Sequence, residues 1–295
     1  MQSADFLSAV FFYLKVGENL NQNWIVENLN NAFSTWNGKL GELWGLVTTG
    51  PQTFKGGAVW SVMQTLHNGM VGIGYALVVL FFAISLCKNT MNFYELKRPE
   101  AAIHYFLRFV AAKALVGYGM DIMLNVFSIC NGIVTDMADS MGGISEAMVS
   151  LPAEMQTAIE NVGFLASIPL WLVTILGSLF ITVLSFVMIL TVYGRFFRLY
   201  MYTAQAPLPL AAFAGESTQS VGISFLKSYV GVCLEGAVIV LACVIYSAFV
   251  STPTVASGEA TTIVWSYLAE TVFNMLVLVG LIKGSDRIIH EMMGL

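Results

Sequence analysis

The stretch GMVGIGYALVVLFFAISLC, residues Gly69–Cys87, runs for nineteen residues without a charge and decides the fold class. A helix that crosses a hydrocarbon core of ~30 Å needs ~20 predominantly apolar residues, and this run supplies them. Four further stretches read the same way. They lie within Ala101–Thr135, within Asn161–Gly194, at Ser228–Val250 and at Thr262–Ile282. The first of these carries Arg108, Lys113 and Asp121, and the second is uncharged and longer than one crossing needs. The last two are interrupted only by Glu235 and by Glu270. The expected fold is therefore all-α, a polytopic integral membrane protein with five transmembrane helices.

Composition agrees. Of 295 residues, 57% are hydrophobic and 11% charged, against about 25% charged in an ordinary soluble domain. Lipid as the solvent for much of the exterior explains the deficit. A net charge of −5 gives no basic surface of the kind that binds nucleic acid. Cys87, Cys130, Cys233 and Cys243 all sit in apolar stretches without metal-ligand spacing, so they read as small buried hydrophobes. Asp5 stands where a signal peptide would be basic, and Phe6–Leu14 ends in Lys15 without a small-residue cleavage site. Membrane entry is expected from internal segments.

Lysine and arginine set the expected orientation, because basic residues near span ends stay on the cytoplasmic side. Lys88, Lys97 and Arg98 fall between the first and second spans. Arg195, Arg198 and Lys227 fall between the third and fourth, and Lys283 and Arg287 follow the fifth. Asp136–Gly163 and Ser251–Thr261 contain no basic residue and carry Asp136, Asp139, Glu146, Glu154, Glu160 and Glu259. The two kinds of segment alternate, which predicts an N-out, C-in topology.

The expected division is an extracytoplasmic amphipathic helical segment over 1–66 and a polytopic membrane domain over 67–295. In Trp24–Val47 the apolar residues Ile25, Leu29, Phe33, Trp36, Leu40, Trp44 and Val47 recur every three or four positions. Glu27, Asn30, Asn31, Ser34 and Lys39 occupy the other face, the pattern of an amphipathic helix. Trp24, Trp36 and Trp44 suit a helix lying on the outer leaflet. Packing on the chain's own spans or on a partner subunit fits the pattern equally. Thr49-Gly50-Pro51 should end it.

Leu199–Gly215 is apolar but short, and Pro207 and Pro209 would break a spanning helix. A cytoplasmic re-entrant turn or a buried helix–loop–helix is expected, since irregular backbone at membrane depth must be covered by protein.

Motifs for catalysis are missing. The chain has no GxxxxGK[ST], HExxH or GxSxG, and His67, His104 and His290 are dispersed. Neither enzymatic activity nor a cofactor or metal is expected. The candidates for function are ionisable and polar residues inside the spans: Lys113, Asp121, Glu235, Glu270 and Asn274. Lys113 and Asp121 are eight residues apart, ~12 Å along one helix at ~1.5 Å per residue, too far to pair directly. Gly231, Glu235 and Gly236 permit close helix approach, and Glu270 and Asn274, four apart, share a face. Each reads either as a contact between helices or as part of a polar conduit wall. No internal repeat or broken helix pair marks a transporter's midplane ion site.

Three stretches carry a family resemblance. They are Arg195-Phe196-Phe197-Arg198 followed by Ala204-Gln205-Ala206-Pro207-Leu208-Pro209-Leu210, then Phe225-Leu226-Lys227-Ser228-Tyr229, then Gly280-Leu281-Ile282-Lys283-Gly284-Ser285-Asp286. Together with the span pattern, they resemble the TrbL-like polytopic channel component of type IV secretion and conjugation machines, in the version found on mobile elements of Gram-positive bacteria. The resemblance covers roughly 65–290 and implies a minimal subunit without a large extracytoplasmic domain. It implies residence in the bacterial cell membrane, a homo-oligomer, and partnership with other secretion subunits and membrane-associated ATPases. It also implies a share in the passage of a DNA–relaxase complex. A secondary transporter, a small-solute channel or a scaffold without a conduit are the competing readings.

Overall fold

The computed structural model describes residues 2–90, 99–140, 148–162, 164–249 and 260–294. Among these there is no strand. Lys97, Arg98, Glu146 and Glu259, which contribute to the charge alternation, lie outside the described residues. The helices are α1 (Gln2–Thr48), α2 (Ala58–Thr90), α3 (Pro99–Gly117), α4 (Gly119–Ser140), α5 (Ala153–Glu160), α6 (Phe164–Gln205), α7 (Pro207–Ala211), α8 (Gln219–Phe249) and α9 (Ala260–Met293). Short 3₁₀ turns sit at Phe54–Gly57 and Ala212–Ala214.

Four helical stretches are long and apolar enough to cross a membrane: Phe54–Lys88, Ile168–Gln205, Gln219–Phe249 and Thr262–Met293. α3 and α4 meet the same measure only as a pair, bent by 72° at Tyr118. The chain is an all-α polytopic membrane protein. Two sequence expectations change here. The second span is not one straight helix, so the ~12 Å axial separation of Lys113 and Asp121 does not apply. The Gly117-Tyr118-Gly119 sequence lets the backbone turn there, as small residues do at kinks. The third span does not stop at Gly194 either. α6 continues to Gln205, so Arg195 and Arg198 are helical residues and not part of a cytoplasmic loop.

The chain forms two compact units, Met1–Gly45 with Met141–Thr191 and Leu241–Lys283, and Leu46–Ser140 with Val192–Val240 and Gly284–Leu295. In the first unit, the apolar face of α1 is fully buried at Ile25, Leu29, Trp36, Leu40 and Leu43, while Asn30, Asn31 and Ser34 are exposed. Asn28 donates to Ser178 Oγ at 3.1 Å, and the Trp24 and Trp171 rings lie 5.7 Å apart. Asn37 exchanges two hydrogen bonds with the Val149 backbone, at 2.8 and 3.0 Å. The Tyr267 hydroxyl donates to Ser150 O at 2.9 Å. α1 thus packs on the chain's own helices through its apolar face.

The second unit holds the proline segment. The structure makes it a buried helical turn: α7 begins at Pro207, where a missing N–H leaves no donor orphaned, and Ala206, Pro207, Leu210, Ala211 and Ala214 are buried. His67 Nδ1–H donates to Thr203 O at 2.7 Å, just before the turn, and Glu216 N–H donates to Ser85 Oγ at 3.4 Å, just after it. Gly74 on α2 allows the approach. A Cβ there would lie 2.9 Å from Val116 Cγ1 and 3.0 Å from both Cβ and O of Pro207. In lipid, where apolar neighbours gain little by leaving the solvent, such close packing is what joins helices.

Gly74→Ala should therefore lower the melting temperature of the detergent-solubilised protein, by an overpacking cost of ~1–3 kcal/mol. Gly72→Ala, with nothing within 4 Å of the added Cβ, should leave it unchanged or raise it. Equal melting of the two variants would show that α7 does not dock on α2.

Candidate functional site

The site grows from the C-terminal part of α6, where Val192, Phe196, Leu199, Tyr200 and Thr203 are buried at intervals of three and four. That register continues the helix past Gly194 and turns Arg195 into the protein, where it is 1% exposed. An arginine cannot be neutralised by losing its proton, so burial obliges it to find acceptors. Nη1 donates to Val47 O at 3.3 Å, Nε to Val232 O at 3.3 Å and Nη2 to Cys233 O at 3.1 Å. Val47 belongs to the last turn of α1, whose carbonyls lack intrahelical partners and whose dipole favours a cation. Asn131 Nδ2 donates to the next carbonyl, Thr48 O, at 3.2 Å. Gly236 explains the contact with α8. A Cβ on it would lie 2.7–2.8 Å from the Arg195 guanidinium, and its absence uncovers the Val232 carbonyl one turn earlier.

The turn after α1 is held on the same stretch of α6. Phe54 stacks on Phe196 with ring centroids 4.0 Å apart, and the Tyr200 hydroxyl donates to Pro51 O at 2.9 Å. Lys55 Nζ sits 5.3 Å from the Tyr193 ring centroid. Lys55, at φ 51°, begins three consecutive left-handed residues with Gly56 and Gly57. The two glycines adopt that conformation without strain.

One helical turn beyond Arg195 lies Arg198. Its Nη2 donates to both carboxylate oxygens of Glu235, each at 2.7 Å, and Nη1 reaches Asp286. Ser285 Oγ adds a bond to Glu235 Oε1 at 3.2 Å. Glu235 is 1% exposed. His290 Nε2 stands 3.7 Å from Asp286 Oδ1. Gly231, one turn before Glu235, lets α9 approach: a Cβ there would be 2.9 Å from Ile289 Cγ2. Arg198 thus pairs with two carboxylates while Arg195 rests on main-chain carbonyls, and the two arginines join α1, α6, α8 and α9 within the second unit.

The other expected residues lie elsewhere. Lys113 on α3 and Asp121 on α4 are exposed and form no ion pair with each other. Asp121 lines a cavity of about 540 Å³ with Gln52, Asn125, Ser128 and Asn131. In the first unit Asn274 is buried, but Glu270, one turn before it on α9, is exposed, so they do not share an environment. Among the described residues no group of three His, Cys, Asp or Glu side chains could hold a metal ion. Sequence reasoning missed Arg195 and Arg198 by counting them as loop charges. The signal available was the unbroken three-and-four spacing from Val192 to Thr203.

Residues 36–207, more than half of the chain, match the model of a family described as TrbL/VirB6 plasmid conjugal transfer like protein. The chain belongs to that family. The match begins in α1 and ends at Pro207, so it takes in Arg195, Arg198 and the start of the proline turn. It stops short of the stretches at 225–229 and 280–286 that carry part of the resemblance. Neither a curated protein nor a solved structure matches the chain. As a TrbL/VirB6-like protein, it is a membrane component of a conjugal transfer system.

The charge cluster predicts a specific pattern of stability. Glu235→Leu should destabilise the solubilised protein, because it removes the buried partner of Arg198 and leaves that guanidinium to Asp286 alone. Arg198→Met combined with Glu235→Leu should recover most of that loss, since an apolar pair of similar volume is often no worse than a buried ion pair. Additive losses in the double variant, read by thermal unfolding in detergent, would mean that the two side chains do not act as a pair.

Proposed function

We propose that the protein is a subunit of the membrane passage of a conjugative type IV secretion system and helps DNA and its attached relaxase cross the cell membrane. The family membership carries this reading, and the polytopic helical fold supports it. The subunit works as a homo-oligomer beside other secretion components, and membrane-associated ATPases supply the energy. It makes and breaks no covalent bond. In the cell membrane it lies C-in, with the end of α1 on the same side as the C-terminal part of α9. Lys283 and Arg287, near the end of α9, hold that orientation. In this reading the Arg195–Arg198–Glu235 cluster is a fastening between helices and not the wall of a conduit, because its charges are satisfied within the protein.

An in-frame deletion of the gene in donor cells should abolish transfer of the mobile element, and expression in trans should restore it. The purified protein in lipid vesicles should move no small solute by itself. Undiminished mating by the deletion strain would overturn the proposal. Solute uptake by the vesicles would favour a transporter or small-solute channel instead.

A further inference from the structure

Two of the buried cysteines meet in the second unit. Cys130 lies on α4 and Cys233 on α8, 6% and 0% exposed, and their thiols share a hydrogen bond. Both belong to one apolar cluster with Met123, Phe127, Leu199 and Val232. One turn earlier on α8, the Tyr229 hydroxyl donates to Met123 O of α4 at 2.8 Å and fixes the approach of the two helices. Hydrogen-bonded sulfurs have a short way to close to the ~2.0 Å of an S–S bond. Arg195 stands beside the pair. Its charge acts on both sulfurs, and its Nη2 donates to the main-chain oxygen of Cys233 itself. The attacking species in disulfide chemistry is a negative sulfur, and a permanent cation at this spot steadies it.

α4 is the helix that a bond between these sulfurs restrains. The 72° bend at Tyr118 where it begins is flanked by Gly117 and Gly119, small residues of the kind found at kinks. Along one side α4 borders the cavity of about 540 Å³, whose wall includes Asp121, Asn125, Phe127 and Asn131. A helix with a bend at its start and a cavity beside it has room to shift. Packing and the Tyr229 hydrogen bond hold it to α8. Phe127 and Asn131 are neighbours of Cys130 on the helix, so small polar molecules in the cavity come close to that sulfur.

We propose that Cys130 and Cys233 form a latch between α4 and α8 that a hydroperoxide closes. Cys130, the less deeply buried of the two, reacts first. Its sulfur attacks a peroxide oxygen, the O–O bond breaks, and with hydrogen peroxide one water leaves and a sulfenic acid remains. The Cys233 sulfur then attacks the Cys130 sulfur. The S–S bond forms, the S–O bond breaks, and the hydroxyl departs as a second water with the Cys233 proton. The peroxide takes up two electrons, one from each sulfur. Closure fixes α4 on α8 and reaches the Arg195 fastening through the Cys233 carbonyl, and a thiol reductant reopens it. The latch goes beyond the transfer reading and does not depend on it.

Peptide mapping after oxidation tests this. Cys87 is the exposed cysteine and the other three are buried, so Cys87→Ser provides the background. That protein, folded in detergent, is treated with hydrogen peroxide and digested. A peptide joining 130 to 233 is expected, absent after dithiothreitol, together with slower amide exchange along α4 in the oxidised protein. Cys130→Ala and Cys233→Ala should each lose both responses. Separate sulfinic acids at 130 and 233 without a joined peptide would overturn the proposal. A joined peptide that appears only when peroxide is added above the melting temperature would overturn it too, since the thiols would then not meet in the fold. A joined pair that leaves amide exchange along α4 unchanged would show that the bond is no latch, and the proposal would fall.

Discussion

A buried arginine constrains this molecule more than any other residue. Arg195 is shut off from bulk solvent at 1% exposure, and its charge cannot be discharged. It therefore needs main-chain oxygens, which must come from helices that would otherwise have no reason to meet at that point. The last turn of α1 offers Val47 O because helix ends leave carbonyls unpaired. α8 offers Val232 O and Cys233 O because Gly236 leaves room for the guanidinium. Placing Arg195 thereby sets the register of α1, α6 and α8 in the second unit. Arg198, one turn on, extends the same logic to α9 through Glu235, Ser285 and Asp286.

The helical, membrane-spanning character of the chain was legible from Gly69–Cys87 and its four counterparts, since an uncharged run of that length has few other uses. The amphipathic pattern from Ile25 to Val47 was legible too, and α1 stops at Thr48, where Thr49-Gly50-Pro51 follows. Pairings were not legible. Glu235 stood out as an acid in an apolar span, but its partner, Arg198, looked like a loop charge because the helix boundary was drawn at Gly194. Charge marks a residue as topogenic when it is solvated and as a fastening when it is buried, and one-dimensional order does not say which. The bend at Tyr118 was hidden for a similar reason. Gly117 and Gly119 are ordinary in membrane helices, and only the neighbours of α3 and α4 decide whether the helix turns there.

The proline turn shows how the chain treats irregular backbone. α6 ends at Gln205 and α7 starts at Pro207, so few backbone groups are released; Thr203 O before the junction is met by His67 of α2, and Glu216 N–H after the whole turn by Ser85. The family match ends at this junction. Within it lie both arginines and the docked start of the turn, while Glu235 and Asp286 lie beyond. The fastening therefore joins the matched part of the chain to the part that follows it.

The proposed role of the buried charges in this conjugal transfer protein is to hold its helices together and not to line a route for DNA. Glu235→Gln tests it most directly, because it removes the charge and keeps the shape and an acceptor oxygen. Mating frequency and thermal stability should be measured on the same variant in the same donor background. If the charges are a fastening, the two move together, with any loss of transfer matched by a loss of folded protein in the membrane. A variant that accumulates and melts like the parent but no longer supports transfer would contradict it, and would place Glu235 in the passage.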